Sequence, residues 1–448
     1  MFNDKRMHWT SLIGLPRLPV YKNIFKRYRN AQHYLLRNEG IKEMKKLALS
    51  AIASLAVSGF AHAQSSVTIY GILDAGYVGG NVRAATKASN GDQSKSTVSL
   101  FGQNAESSSR LGFKGVEDLG NGTSAFFTVE VQLYPQDSQV SGNANNGFFN
   151  RQTFLGLRKN GLGEGAVGLQ YTPIFKSALV TDPGNLNNIT GNVIYASTQG
   201  VGSASAGTTA IGFTARTANT LSFKTDNIYG FTASGMYALN NKNQSQTTTG
   251  STVTGGNVNA NGWGLAADYT YNSLYITAAY QALKQQSSAV TSITDSAAWT
   301  NSTANTGTLP NTAGNALNVQ DNQFYVAGTY DFGFLKAYAQ YLTRKATSSL
   351  SSSYYLGRTA EQVGVRGYIT PTIEGWASAG LGRYTEMGTG SPTANFNGFQ
   401  LGSNYWLSKR TNLYAMYGQT IVSTGTTASG IPVNAAISNY GVGVRHTF

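Results

Sequence analysis

From Ser66 onward the chain alternates apolar and polar residues with a period of two, as strands do when they divide two environments. "SVTIYGILDAGY" puts Val67, Ile69, Gly71, Leu73, Ala75 and Tyr77 on one face, with Thr68, Tyr70, Asp74 and Gly76 on the other. "SAFFTVEVQL" sets Ala125, Phe127, Val129, Val131 and Leu133 against Ser124, Thr128, Glu130 and Gln132. "WGLAADYTYNSLYITAAY" reads as two such strands joined by a tight turn at Asn272-Ser273, and "FYVAGTYDFGFLKAYAQY" repeats the design around Gly333. The pattern runs to the last residue. Tyr440, Val442, Val444, His446 and Phe448 form one face there, and Gly441, Gly443, Arg445 and Thr447 the other.

The spacing predicts sixteen strands. The first eight lie at 66–78, 105–116, 123–134, 148–158, 164–172, 212–225, 229–239 and 260–271. The second eight lie at 274–284, 321–332, 335–345, 357–370, 372–385, 394–407, 412–422 and 437–448. Their lengths are near the ~9–11 residues a tilted strand needs to cross a bilayer. Short connections (117–122, 226–227, 272–273, 371, 408–411) alternate with long polar ones (79–104, 173–211, 240–259, 285–320). The expected fold is therefore all-β: a sixteen-stranded antiparallel transmembrane β-barrel with short periplasmic turns and long extracellular loops. Tyr77, Tyr269, Tyr405 and Phe448, at strand ends on the outward face, suit the aromatic girdles of such barrels. Closure must pair the last strand with the first, because lipid leaves no other partner for backbone groups.

The first 63 residues read differently. "MKKLALSAIASLAVSGFAHA" has a basic start at Lys45 and Lys46, an apolar stretch from Leu47 to Val57 and a small-x-small end at Ala61-His62-Ala63. That is a secretory signal peptide over 44–63, with cleavage expected after Ala63 and the barrel over 64–448. A leader works from an N-terminus, so Met44 is the expected start and residues 1–43 an upstream extension.

Charge changes its meaning once this segment is set aside. The whole chain carries +13, but residues 1–63 hold eleven of its 33 basic and three of its 20 acidic residues, leaving +5. Nucleic-acid binding loses its main support. Charged residues are only 12% of the chain, against ~25% in a typical soluble protein. There is no cysteine, which removes thiol nucleophiles and Cys-based metal sites, and no cofactor is expected. His446 is the one histidine after the leader and is expected at the lipid-facing rim. A Ser-His-Asp enzyme is unsupported, and the chain is not read as an enzyme. A barrel of sixteen strands leaves an aqueous channel. Parity places Arg110, Lys114, Arg151, Arg216, Lys224, Arg366 and Arg445 on its wall with Asp74, Glu130 and Asp268.

Several stretches together carry a family resemblance: "SSVTIYGILDAG", "SSRLGFKGVEDLGNG" at 108–122, "FNRQTFLGL" at 149–157, "LQYTP" at 169–173, "ARTANTLSFKT" at 215–225, "LSKRTNLYAMY" at 407–417 and the terminal "VRHTF". In that order the chain resembles the general porins of Gram-negative outer membranes, β-proteobacterial type. The resemblance implies a homotrimer embedded in outer-membrane lipid and lipopolysaccharide, and a barrel-assembly machinery that reads the strand ending at Phe448. It also implies a third loop, 173–211, folded inward to narrow the pore. Basic residues on the wall would then face acids on that loop: Arg110, Arg151 and Arg216, with Lys114 and Glu130 beside them and Asp182 as the loop partner. Parity agrees by placing Leu111, Phe113, Phe154, Leu221 and Phe223 toward lipid. The chain departs from relatives at Leu169 and Gly184. The implied function is passive diffusion of small hydrophilic solutes and ions, anions preferred, since clustered arginines favour anions.

Overall fold

Alternation along each strand becomes a wall with two solvents. The computed structural model describes residues 66–85, 93–138, 140–141, 148–196, 212–242, 245–250, 252–287, 318–349, 355–387, 394–426 and 432–448. The leader and upstream extension lie outside the described residues. The chain runs through β1 (Ser66–Ala85), β2 (Gln93–Gln103), β3 (Arg110–Gly120), β4 (Thr123–Gln132), β5 (Asn150–Lys159) and β6 (Gly163–Tyr171). A helix, α1 (Pro173–Thr181), follows, then β7 (Arg216–Thr225) and β8 (Phe231–Lys242). A small hairpin, β9 (Gln246–Thr249) and β10 (Thr252–Gly255), precedes β11 (Val258–Tyr271), β12 (Leu274–Ser287) and β13 (Val319–Asp331). The chain finishes with β14 (Lys336–Ser348), β15 (Tyr355–Tyr368), β16 (Ile373–Met387), β17 (Ala394–Trp406), β18 (Thr411–Thr426) and β19 (Pro432–Thr447).

All but the β9–β10 hairpin form one antiparallel sheet of seventeen segments, closed by β1 against β19. The lower half of β1 pairs with β3 and its upper half with β2, so these two share one place in the wall. The barrel therefore has sixteen strand positions. Closure reaches the final residue: Gly71 and Phe448 exchange both backbone hydrogen bonds at 3.1 Å. A Cβ on Gly71 would run into the Phe448 ring, so the glycine makes room for it.

The outside is apolar, with Ile69, Leu155, Val167, Leu221, Val363 and Leu381 all exposed. Tyr229, Phe231, Tyr271, Phe334, Tyr368 and Tyr405 are exposed beside the short turns, as a lipid–water boundary favours. The inside is polar and largely buried, lined by Gln281, Gln323, Gln362, Gln400, Asn404 and Asn439.

Two predicted loops prove partly to be strands. The segment 79–104 continues β1 and builds β2, and 240–259 extends β8 and β11 around the small hairpin. The predicted strand at 105–116 begins instead at Arg110, because Asn104–Ser109 leaves the wall. Asp74 holds that segment inside, accepting from the backbone N–H of Glu106 at 2.9 Å and Ser107 at 2.7 Å, and from the Tyr414 hydroxyl at 2.6 Å.

The described part of the third loop, 173–196, lies within the barrel, and 197–211 fall outside the described residues. Thr172 caps α1, its Oγ1 accepting from the Phe175 N–H at 3.3 Å, and Pro173 supplies a first position that needs no donor. Ser177 meets Thr277 at 2.7 Å and Thr181 meets Tyr325, so the helix sits against inner-wall side chains. Further on, Asn187 and Gln400 exchange amide hydrogen bonds at 3.0 and 3.1 Å, and Asn439 Oδ1 accepts from the Thr190 N–H at 2.9 Å. Asn188 joins the loop to the inward segment through Asn104 O at 2.7 Å and Ala105 O at 3.0 Å. Ile174, Phe175, Val193, Ile194 and Phe213 pack with Tyr325 and Leu342 as an apolar cluster between loop and wall.

Candidate functional site

The site gathers on one arc of wall, β3 to β7. Glu130 on β4 and Arg151 on β5 form a buried ion pair, Nε to Oε1 at 2.8 Å. The rest of the Arg151 guanidinium donates to Gln132 Oε1 at 3.0 Å and to the Tyr171 hydroxyl at 3.1 Å. Tyr70 donates to the other Glu130 oxygen at 3.1 Å, and Lys114 lies over the Tyr70 ring, 5.4 Å from its centroid. The Tyr171 hydroxyl also donates to Glu130 Oε1, at 3.5 Å.

Arg151 reaches the lumen by a route that alternation could not indicate. Val131 faces Asn150 and Glu130 faces Gln152, so Arg151 is the extra residue of a β-bulge. Phe154, expected toward lipid, pairs with Thr128 and packs on Phe126, on the same side as Glu130. The parity argument for Arg151 is corrected accordingly: the residue is inside because the bulge turns it there.

Arg110 opens β3 where the inward segment rejoins the wall, and it donates to Ser108 O at 2.9 Å and Ser107 Oγ at 3.0 Å. Arg216 opens β7 opposite Tyr171. Its guanidinium lies 5.8 Å from the Tyr171 ring centroid and 5.9 Å from that of Phe149, and its Nε and Nη1 make no hydrogen bond. Among the described residues, neither Arg110 nor Arg216 makes a salt bridge. Arg110, Arg151, Arg216 and Glu130 lie within electrostatic reach of one another. Glu130 thus pairs with Arg151 alone, with the other two guanidinium groups near it but outside salt-bridge distance.

Asp182 is not brought to this cluster. It ends α1, its Oδ2 accepting from the Leu186 N–H at 2.8 Å and its Oδ1 from Asn192 Nδ2 at 2.7 Å and Gln362 Nε2 at 3.1 Å. Gln362 is on β15, eight strand positions round the wall from β5. Burial pushes the Asp182 carboxyl above its ordinary range, while these hydrogen bonds pull it back. It fastens the loop to the far wall rather than facing the arginines.

Tyr70, Gln132, Phe149 and Tyr171 belong to the site and were not anticipated. Tyr171 stood within "LQYTP", where an aromatic residue just before a helix-starting proline was the available signal. Phe149 opened the stretch "FNRQTFLGL", where only Arg151 was assigned to the site.

A protein-family model described as "Gram-negative porin" matches residues 48–425 of the 448. The chain belongs to that family. It is an outer-membrane β-barrel. Outer membrane porin protein 32 of Delftia acidovorans is 36% identical over 199 residues, 44% of this chain and 51% of that protein. Major outer membrane protein P.IB of Neisseria gonorrhoeae is 33% identical over 150 residues, 34% of this chain and 38% of that protein. The alignments thus span about half or less of these relatives' length. Among solved structures, the anion-selective porin from Comamonas acidovorans superposes with a TM-score of 0.57 at 22% identity, covering 86% of this chain and all of that one. OmpT of Vibrio cholerae superposes with a TM-score of 0.52 at 15% identity. These two likenesses establish the shared fold.

Proposed function

We propose that this porin is a passive channel for small hydrophilic solutes and ions, and that it prefers anions. The observation that carries the reading is the charge imbalance on one arc of the wall. Arg110 and Arg216 carry charge at any working pH, as guanidinium groups do, and among the described residues neither makes a salt bridge. Fixed cations beside a narrowed aqueous path raise the local concentration of anions and repel cations. The similar Comamonas structure is titled anion-selective, in agreement with this reading.

The protein acts as a channel and not as an enzyme in this proposal. His446 sits at the rim with Nδ1 2.9 Å from Thr411 Oγ1, away from the polar interior. The same reading includes a homotrimer, formed through the wall around β1 and β19, where Val67, Ile69, Val442 and Val444 present an apolar outer surface. Lipid and lipopolysaccharide surround the remainder, and assembly machinery recognises the strand ending in Phe448. Residues 44–63 serve as the leader, so protein isolated from membranes begins at Gln64.

The direct test is the zero-current potential of the purified protein in a planar bilayer across a KCl gradient. Its sign should report chloride more permeant than potassium; the opposite sign would overturn the reading. Native mass measurement in mild detergent should give three copies, and N-terminal sequencing should start at Gln64. A monomer, or a start before Met44, would remove those parts.

A further inference from the structure

Arg110 stands next to a carboxylate and does not pair with it. Tyr70, Gly112 and Glu130 share one rung of β1, β3 and β4, and Ile72, Arg110 and Gln132 share the next rung on the same face. Glu130 is thus the diagonal neighbour of Arg110, about 7–8 Å away and within reach of a long side chain. Shielded from bulk water, an arginine so placed gains by closing on the acid. Two contacts stop it. Tyr70 crosses over Gly112, where any Cβ would run into its ring, and its hydroxyl donates to Glu130 Oε2 at 3.1 Å. Arg151 holds the other oxygen, Oε1, at 2.8 Å. The Arg110 guanidinium is drawn instead to the inward segment, its Nε to Ser108 O at 2.9 Å and its Nη2 to Ser107 Oγ at 3.0 Å.

That segment is fixed firmly enough to hold a charged side chain. Besides binding the N–H groups of Glu106 and Ser107 through its carboxylate, Asp74 donates its own N–H to Ser109 Oγ at 2.9 Å. Asn104 Oδ1 accepts from the Ser109 N–H at 2.6 Å. Glu106 accepts from Asn404 at 2.9 Å and Asn412 at 3.0 Å and pairs with Arg445, which ties the segment to β17, β18 and β19. Ser107 Oγ and Ser108 O therefore meet Arg110 from a stapled backbone. We infer that Tyr70 and Ser107 are positioning residues that keep Arg110 apart from Glu130, and that this separation leaves its charge free to act on passing ions. The inference deepens the anion reading above and rests on it for the effect on selectivity.

The test is Tyr70→Phe/Ser107→Ala in the full-length channel. It keeps the ring over which Lys114 lies and removes one hydroxyl from Glu130 and one from Arg110. Arg110 should then close on Glu130. The chloride-to-potassium permeability ratio, read from zero-current potentials at low salt, should fall about two- to fivefold, as when one unit charge beside an aqueous path is cancelled. Against a Glu130→Gln background the same two substitutions should leave the ratio where Glu130→Gln alone sets it. An equal fall in that background would overturn the inference, because the effect would not run through Glu130. A crystal structure of Tyr70→Phe/Ser107→Ala judges the contact itself: Arg110 within salt-bridge distance of Glu130 supports the inference, and Arg110 still on Ser108 overturns it. Arg110 seen on Glu130 with the ratio unchanged would overturn instead the reading that Arg110 favours anions.

Discussion

The two sides of the barrel use arginine in opposite ways. On the β13–β19 side Arg344 is held by Asp321 at 2.7 Å, Arg366 by Glu374 at 2.6 Å and Arg445 by Glu106 at 3.4 Å. Each of these pairs also braces something: Asp321 accepts from Gln323 Nε2 at 2.8 Å, and Gln323 Oε1 holds the Thr214 N–H; Arg366 donates to Pro183 O at 2.8 Å; and Glu106 belongs to the inward segment. On the inner wall of the β3–β7 side Glu130 pairs with Arg151, while Arg110 and Arg216 make no salt bridge among the described residues; Arg158, exposed at the end of β5, pairs with Asp226. Paired arginines brace the wall; in the proposed function the unpaired ones bias what passes. Arg358, buried on the far side, also makes no salt bridge among the described residues; it lies over the rings of Phe396 and Tyr384 and donates to Val193 O, beside the apolar cluster that backs the loop.

The comparison can be broken first on its structural side. Asp321→Ala leaves Arg344 without its carboxylate among buried groups, and removing one partner of a buried pair costs ~3–5 kcal/mol. Thermal denaturation should come markedly earlier, with the selectivity of any surviving channel little changed. Equal stability would show that the far pairs do not brace the wall. Next, Asp182→Ala strips the acceptor from three donors at the loop's anchor, worth roughly 1–3 kcal/mol. That cost falls on the loop and not on the barrel, so open-channel noise and mean conductance should rise while the melting temperature holds. A quiet, unaltered conductance would mean that Asp182 does not fasten the loop. A similar cost, about 1–3 kcal/mol, is expected for Gly71→Val, which forces a side chain into the Phe448 ring at the closing seam. Heat-modifiability on gels should show it, and normal stability would contradict the described closure.

Most of the fold was legible because the wall separates water from lipid. Strands such as Val319–Asp331 must alternate, and all sixteen predicted spans overlap strands of the barrel. The signal fades where both faces see water. The upper part of β1 and β2, with "GGNVRAA" and "QSKST", carries too few apolar residues to alternate, and it read as loop. Bulges were invisible for a different reason. One extra residue flips parity without changing composition, so Arg151 was placed inside by an argument that put Phe154 on the wrong side. The resemblance gathered Arg110, Arg151 and Arg216, which lie far apart in sequence. It could not reveal the direction of Asp182, which depends on amide partners at Asn192 and Gln362.

The central claim is that the unpaired arginines, and not the arc as a whole, set the preference for anions. Two variants separate these ideas in low-salt bilayers, where charge reaches ~10 Å at 0.1 M and further below it. Arg110→Gln/Arg216→Gln removes two uncompensated charges, whereas Glu130→Gln/Arg151→Gln removes an ion pair and leaves net charge unchanged. The measurement is the zero-current potential across a KCl gradient for each. The account predicts that the first variant loses most of its chloride preference and the second keeps it. If the first inserts normally with an unchanged potential, or the second loses the preference as fully, the unpaired arginines are not the filter.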